Sequence, residues 1–257
     1  MNTFQLPSKK VLGFSVYTGS VEQIPLSQKM LVNTLNQYCY CMAVRDEAYK
    51  QALHDSDILL ADGVGVVAAA KFLNGTGIKK IAGADLHQYL LEQLNENGGS
   101  CFYMGSSQHT LDKIKERLQK EYPNVRVGLY SPPFKKEFSE ADNKQMTDAV
   151  NEFKPDVLFV GMTAPKQEKW ASLHKDVLNT KLICSIGAVF DFYAGTVKRP
   201  SSFWVSMGME WLVRLWKEPK RMWRRYLYYG PDFIFTLMRM KLMQLKTAKI
   251  KTQSKPY

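Results

Sequence analysis

Asp62 stands where an apolar run, Asp57-Ile-Leu-Leu-Ala61, gives way to Gly63-Val-Gly65. A carboxylate at a strand end, beside glycines that let backbone or ligand come close, suits a general base. The alternative is an Asp that caps a helix starting near Gly65. Read as Gly63-x-Gly65-x-x-Ala68, with Asp85 about twenty residues on, the segment also fits the loose dinucleotide fingerprint. That opens a second reading, a nicotinamide-dependent oxidoreductase. Against it, Asp85 follows Ala82-Gly83-Ala84 and opens a helix instead of ending a second strand. Thr34 and Asn36 close another apolar run in Asn33-Thr-Leu-Asn36. Short polar side chains there can hold a sugar hydroxyl or a phosphate, or cap the next helix.

Gly161-Met-Thr-Ala-Pro165-Lys-Gln167-Glu168-Lys-Trp170 follows a further apolar run. Pro165 suits the first turn of a helix whose free N–H groups meet a phosphate, with Gln167 and Glu168 beside the ligand. Glu168 can equally serve the helix dipole alone. Gly187-Ala-Val-Phe-Asp191-Phe-Tyr-Ala-Gly195 offers Asp191 as a ligand contact or a turn cap. Arg199, Arg214, Arg221, Arg224 and Arg225 offer fork-shaped donors for a pyrophosphate, or a solvated charged face. His54, His87, His109 and His174 lack metal-ligand spacing, and Asp55-Ser-Asp57 reads as a helix-to-strand turn, so no metal site is assigned.

The elements that must carry these residues alternate. Strands are expected at Val11–Val16, Met30–Leu35, Ile58–Ala61, Ser100–Met104, Val125–Leu129, Val157–Val160 and Leu182–Ile186. Amphipathic helices are expected at Tyr38–Leu53, Gly65–Leu73, Asp85–Leu94, Gln108–Tyr122, Asn143–Phe153 and Pro165–Val177. Such alternation predicts βαβ units and a Rossmann-like, mainly parallel α/β sheet flanked by helices. Ligands then bind beyond the carboxyl ends of the strands, where the residues above lie.

The chain carries 35 Lys and Arg against 24 Asp and Glu, a net charge of +11. The whole excess lies from Lys198 onward, where 14 cations face three acids, and the preceding body is neutral. Two parts are expected: a catalytic body over residues 1–200 and a basic, aromatic helical appendage over 201–257. The appendage mixes Trp204, Trp211, Trp216, Trp223 and Tyr226 with arginines, then resumes after Gly230-Pro231 with Phe233, Ile234, Leu237, Met238 and Leu242. Aromatic and cationic residues together suit the headgroup layer of an anionic membrane. Packing on the body is the alternative. A nucleic-acid-binding protein is a third reading of the basic tail; it leaves the neutral, motif-bearing body unexplained, and no nucleic-acid partner is assigned. No signal-peptide apolar region and no spanning segment of about 18 apolar residues is present. The four scattered cysteines read as free thiols in a reducing compartment. The expected location is cytoplasmic, peripherally attached to the inner face of the cell membrane.

Taken in order, these segments resemble the WecG/TagA/CpsF family of bacterial glycosyltransferases. The matching pieces are Thr34-Leu-Asn36, Leu60-Ala-Asp62-Gly-Val-Gly65, Ala82-Gly-Ala-Asp85-Leu, Phe102-Tyr-Met-Gly105, Gly161 to Trp170, and Ile186 to Gly195. Arg199-Pro200, Met209-Glu-Trp-Leu-Val-Arg214 and Glu218-Pro-Lys-Arg221-Met-Trp-Arg224-Arg225-Tyr complete the series. The resemblance implies a UDP-sugar donor, an acceptor sugar on a polyprenyl pyrophosphate, and transfer of an N-acetylmannosamine-type hexosyl group with inversion. It also implies that neither metal nor cofactor takes part. By position, Asp62 would be the base and Thr34 would orient donor or acceptor. Asn36, Gly63, Gly65, Asp85, Gly105, Gln167 and Asp191 would contribute to substrate binding. Arg214, Arg221 and Arg224 would engage pyrophosphate from the C-terminal segment. Ser201-Ser202 departs from the family's usual run after Arg199-Pro200, which weakens the case for Arg199.

Overall fold

The computed structural model describes residues 6–197, 201, 203–204 and 207–253; the side chains of Glu210, Arg221 and residues 248–253 are outside that description. The chain opens with an antiparallel hairpin, β1 (Ser8–Val11) and β2 (Phe14–Tyr17). The single expected strand over Val11–Val16 is thus two strands. They are joined by Leu12 and Gly13, both at positive φ, 57° and 87°. A two-residue turn with this geometry matches the twist of a hairpin. Leucine is a poor signal for it, and burial of the Leu12 side chain supports the conformation instead.

The centre is a parallel sheet of six strands in the order β4-β3-β8-β7-β5-β6. Its members are β3 (Met30–Leu35), β4 (Ile58–Ala61), β5 (Ser100–Gly105), β6 (Arg126–Tyr130), β7 (Val157–Gly161) and β8 (Leu182–Ser185). All but β6 are buried along their whole length. Both faces of this sheet are covered, which is why these strands read as continuous apolar runs and not as alternating ones. The structure is a Rossmann-like α/β fold, as the alternation predicts.

On one face α4 (Gly83–Asn97), α5 (Gln108–Glu121) and α8 (Gly187–Tyr193) bury Leu86, Leu90, Ile114, Val189 and Phe190. On the other, α6 (Glu140–Phe153) and α7 (Lys166–His174) bury Met146, Val150, Trp170 and Ala171. The expected Tyr38–Leu53 helix is divided into α1 (Gln37–Ala43) and α2 (Glu47–His54). Asp46 makes the division: it accepts from Tyr49 N at 3.0 Å as the N-cap of α2 and pairs with Lys169 at 2.6 Å. α3 (Val64–Asn74) follows β4.

The C-terminal segment runs through α9 (Glu210–Lys217), α10 (Pro219–Trp223), a π-helical turn (Arg224–Tyr228) and α11 (Tyr229–Gln253). The first half of α11 lies on the body. Phe233, only 4 % exposed, joins the core cluster of α1, α3 and the hairpin. Its ring meets Tyr40 edge-on at 5.7 Å, and Asp232 pairs with Arg45 at 3.0 Å. Truncating Phe233 to alanine should cost about 3–5 kcal/mol, the usual range for a buried aromatic. Thermal melting should show the loss, with faster amide exchange in α11; an unchanged melting temperature would mean that α11 does not rest on this core. Among the described residues no helix is long and apolar enough to cross a membrane.

Candidate active site

Two strand ends and the C-terminal segment enclose one cleft. β3 and β4 pair in parallel with Thr34 opposite Leu60 and Leu35 opposite Ala61, so Asn36 and Asp62 leave the sheet side by side. The Asp62 N–H donates to Leu35 O at 2.9 Å, tying the two exits together. Asn36 caps α1, its Oδ1 accepting from Cys39 N at 3.0 Å. Asp62 does not cap α3; Gly63 holds that position at φ +123°, a conformation that favours glycine. A Cβ on Gly65 would come within 3.1 Å of Gln37 Oε1, so this glycine lets the starts of α1 and α3 approach.

The cleft is lined by Asn36, Gln37, Asp62, Gly63, Val64 and Lys80 from the body, and by Gly208, Trp211, Arg214, Arg225 and Tyr226 from the C-terminal segment. It encloses about 560 Å3, including the part open to solvent. Two of its cations rest on aromatic rings: Arg214 lies over Phe192 at 5.2 Å and Arg225 over Tyr38 at 4.6 Å. The rings of Trp211 and Tyr226 are tilted against one another, with centroids 5.9 Å apart. One carboxylate, three cations and two aromatic rings thus line one cleft, together with Gly63 and Val64 at the start of α3. Such a site can hold a phosphorylated ligand and remove a proton from a hydroxyl beside it.

Of the residues singled out in sequence, Asn36, Asp62, Gly63, Arg214 and Arg225 line the cleft. Thr34 is buried two residues below Asn36 on β3, and Gly65 lies within the first turn of α3. Asp85 lies in the first turn of α4, accepting from Ala82 N at 3.1 Å, and is not among the residues lining the cleft. Gly105, at φ +122°, ends β5 close against β7, where a Cβ would collide with the Gly161 carbonyl. Asp191 is half-buried in α8, Arg224 is exposed, and neither lines the cleft. The Arg221 side chain and all of Arg199 lie outside the described residues. Asp57 serves a turn, accepting from Leu31 N and Lys175 Nζ, each at 2.6 Å.

Gln167 and Glu168 do not line the cleft; they are buried in the first turn of α7. Gln167 Oε1 accepts from Met162 N at 3.2 Å, and its Nε2 donates to Glu168 Oε1 at 2.9 Å. Burial pushes the Glu168 carboxyl up to about 7, against the pull of the Gln167 amide and of Arg225. Sequence reading missed Gln37, Lys80, Trp211 and Tyr226 as cleft residues. Lys80 sits in a motif-free connection between α3 and α4. The aromatic pair had a signal only in the cation-rich texture of the C-terminal segment.

A parallel α/β sheet whose carboxyl edge carries a carboxylate and a wall of cations is the architecture of enzymes that hold phosphorylated ligands at that edge. The chain belongs to the WecG/TagA/CpsF family of glycosyl transferases, whose family model matches residues 10–247. It is similar to proteins named N-acetylglucosaminyldiphosphoundecaprenol N-acetyl-beta-D-mannosaminyltransferase. The one from Bacillus spizizenii is 28% identical over 216 residues, covering 83% of this chain and 81% of that protein. The one from Bacillus subtilis is 27% identical over 221 residues, covering 85% and 84%. The one from Staphylococcus aureus (strain MW2) is 26% identical over 223 residues, covering 87% and 85%.

Proposed function

We propose that this chain moves an N-acetylmannosamine-type hexosyl group from a UDP-sugar to a sugar on a polyprenyl diphosphate, with inversion, in the synthesis of a cell-surface polysaccharide. The observation that carries the reading is a cleft lined by Asp62 together with Lys80, Arg214 and Arg225. Asp62 takes the proton from the acceptor hydroxyl as that oxygen attacks the anomeric carbon from the face opposite the donor's phosphate. The anomeric carbon–oxygen bond breaks and UDP leaves with the electron pair. The cations stabilise the charge that develops on the departing diphosphate. The names of the relatives support the lipid-linked acceptor and the sugar type.

The test is incubation with α-linked UDP-N-acetylmannosamine and a synthetic polyprenyl-diphosphate N-acetylglucosamine, with the anomeric configuration of the product read by NMR. A β-linked disaccharide supports the reading. An α-linked product refutes inversion, and no product with verified substrates refutes the donor.

Docking to an anionic membrane is part of the same proposal. The outer face of α11 exposes Ile234, Phe235, Met238, Leu242 and Leu245 beside Arg239 and Lys246, while Phe233 holds the helix to the body. Burying an apolar side chain contributes about 1.5–3 kcal/mol. Changing Phe235, Met238 and Leu242 together to serine should therefore weaken binding to phosphatidylglycerol-containing vesicles by about tenfold or more. The melting temperature should be nearly constant, because these side chains face solvent. Equal vesicle binding by the variant would rule out this face as the docking surface.

A further inference from the structure

Arg224 and Arg225 are adjacent in the π-helical turn, yet only Arg225 lines the cleft; Arg224 is exposed. What separates them is one ring. Arg225 lies over Tyr38 at 4.6 Å, and Tyr229, four residues further on, meets the same ring edge-on at 5.1 Å. Residues four apart share a helix face, so this segment meets Tyr38 with a cation and a second aromatic together. Met222, three residues before Arg225, is fully buried and turns the same face inward. Tyr38 is fixed from the body. It is half-buried in the first turn of α1, directly after Asn36 and Gln37, which line the cleft. The Asn36 cap on Cys39 N at 3.0 Å sets the start of that helix. Tyr229 has its own support. Arg45 lies over its ring at 5.3 Å, donates to Cys41 O at 2.9 Å and pairs with Asp232 at 3.0 Å. The Cys41 thiol donates to Tyr229 O at 3.6 Å. Contacts thus run without a gap from the first turn of α11 through Tyr229 and Tyr38 to a guanidinium at the cleft.

We propose that Tyr38 is a positioning residue whose ring, braced by Tyr229, holds the Arg225 guanidinium where the diphosphate of the donor nucleotide binds. The inference rests on the UDP-sugar reading of the cleft. Contact with a ring uses none of the N–H donors of an arginine, so the fork stays available to a phosphate. A long side chain that is free in solvent loses rotamer freedom when it closes on a ligand, and that loss weakens binding. Arg225 on its ring has lost that freedom before the ligand arrives. Without the ring it keeps its charge but not its place. The Tyr38 hydroxyl takes no part, so phenylalanine should serve as well as tyrosine.

The experiment is calorimetric titration of the full chain with UDP, on wild type, Tyr38→Leu, Tyr38→Phe, Arg225→Gln and the double variant of Tyr38→Leu with Arg225→Gln. Arg225→Gln should weaken binding by about tenfold or more, as the loss of a charged donor does. Tyr38→Leu should weaken it by about three- to tenfold, the range that a half-buried cation–π contact supplies. Tyr38→Phe keeps the ring and should recover binding to within about twofold of wild type. In the Arg225→Gln background, Tyr38→Leu should add less than about twofold, because the side chain it positions is gone. A merely structural tyrosine would weaken binding equally in both backgrounds. That result overturns the proposal, as does wild-type affinity in Tyr38→Leu or in Arg225→Gln. Tyr38→Phe as weak as Tyr38→Leu would assign the effect to the hydroxyl and overturns it too. These outcomes leave the nucleotide reading standing; no UDP binding by the wild type overturns both. If Tyr38→Leu does not fold, Tyr38→Met, which fills similar space without a ring, takes its place in the same cycle.

Discussion

Replacing Asp62 with asparagine should lower transfer by about 10²–10⁴-fold, the range that general-base catalysis contributes, while UDP binding stays close to that of the unaltered protein. Asn keeps the shape and loses the charge and basicity that take the proton. The fold should tolerate it. Asp62 lines the cleft, Gly63 holds the N-cap position of α3, and the backbone N–H bond of Asp62 to Leu35 O is independent of its side chain. Turnover and nucleotide affinity measured on the same preparation separate the two effects. A base acts in the chemical step, so the loss should fall on kcat. Unchanged turnover in Asp62→Asn would remove this residue from the mechanism. A loss of nucleotide binding of the same size as the loss of turnover would make it a ligand contact.

Truncating Arg214 to alanine should cost about 10²–10³-fold in turnover, comparable to removing one preorganised donor from a site of developing negative charge. The residue reaches the cleft from α9, and its guanidinium rests on the ring of Phe192 in α8. Its position is thus defined by the body, although it lies far along the chain from Asp62. Arg214→Lys keeps the charge but loses the planar fork and most of the stacking, so it should recover only part of the activity. Donor-concentration dependence of UDP release, with melting temperature as a control, checks the prediction. Full activity in Arg214→Ala would place the diphosphate elsewhere in the cleft.

The sheet was legible because burial on both faces makes a parallel strand a plain apolar run. Met30–Leu35 and Ile58–Ala61 have the expected ends, and the other four sheet strands differ by one residue at one or both ends. Strand ends locate loops, and Asn36, Asp62 and Gly63 followed from that alone. Where local preference and tertiary packing disagree, the sequence was silent. Leu12 turns at positive φ because its side chain is buried. Glu168 looks like a helix-dipole residue until α1 and α2 cover it. The far wall of the cleft was the hardest part. Arg225 stacks on Tyr38 and Tyr229 meets the same ring at 5.1 Å, contacts that join residues nearly 200 positions apart and leave no periodicity in either segment. Cations and aromatics in the C-terminal stretch read equally as membrane anchor, core and binding wall. Phe233 is core, Arg214, Arg225 and Trp211 are wall, and Phe235 and Met238 face outward.

Release of UDP that depends on acceptor is the most direct test, measured with UDP-N-acetylmannosamine, a synthetic polyprenyl-diphosphate N-acetylglucosamine in anionic vesicles, and wild type beside Asp62→Asn. The account predicts rapid release by the wild type only when acceptor is present, and release lost in the variant although UDP still binds. Release that ignores the acceptor, or that survives in Asp62→Asn, would contradict it.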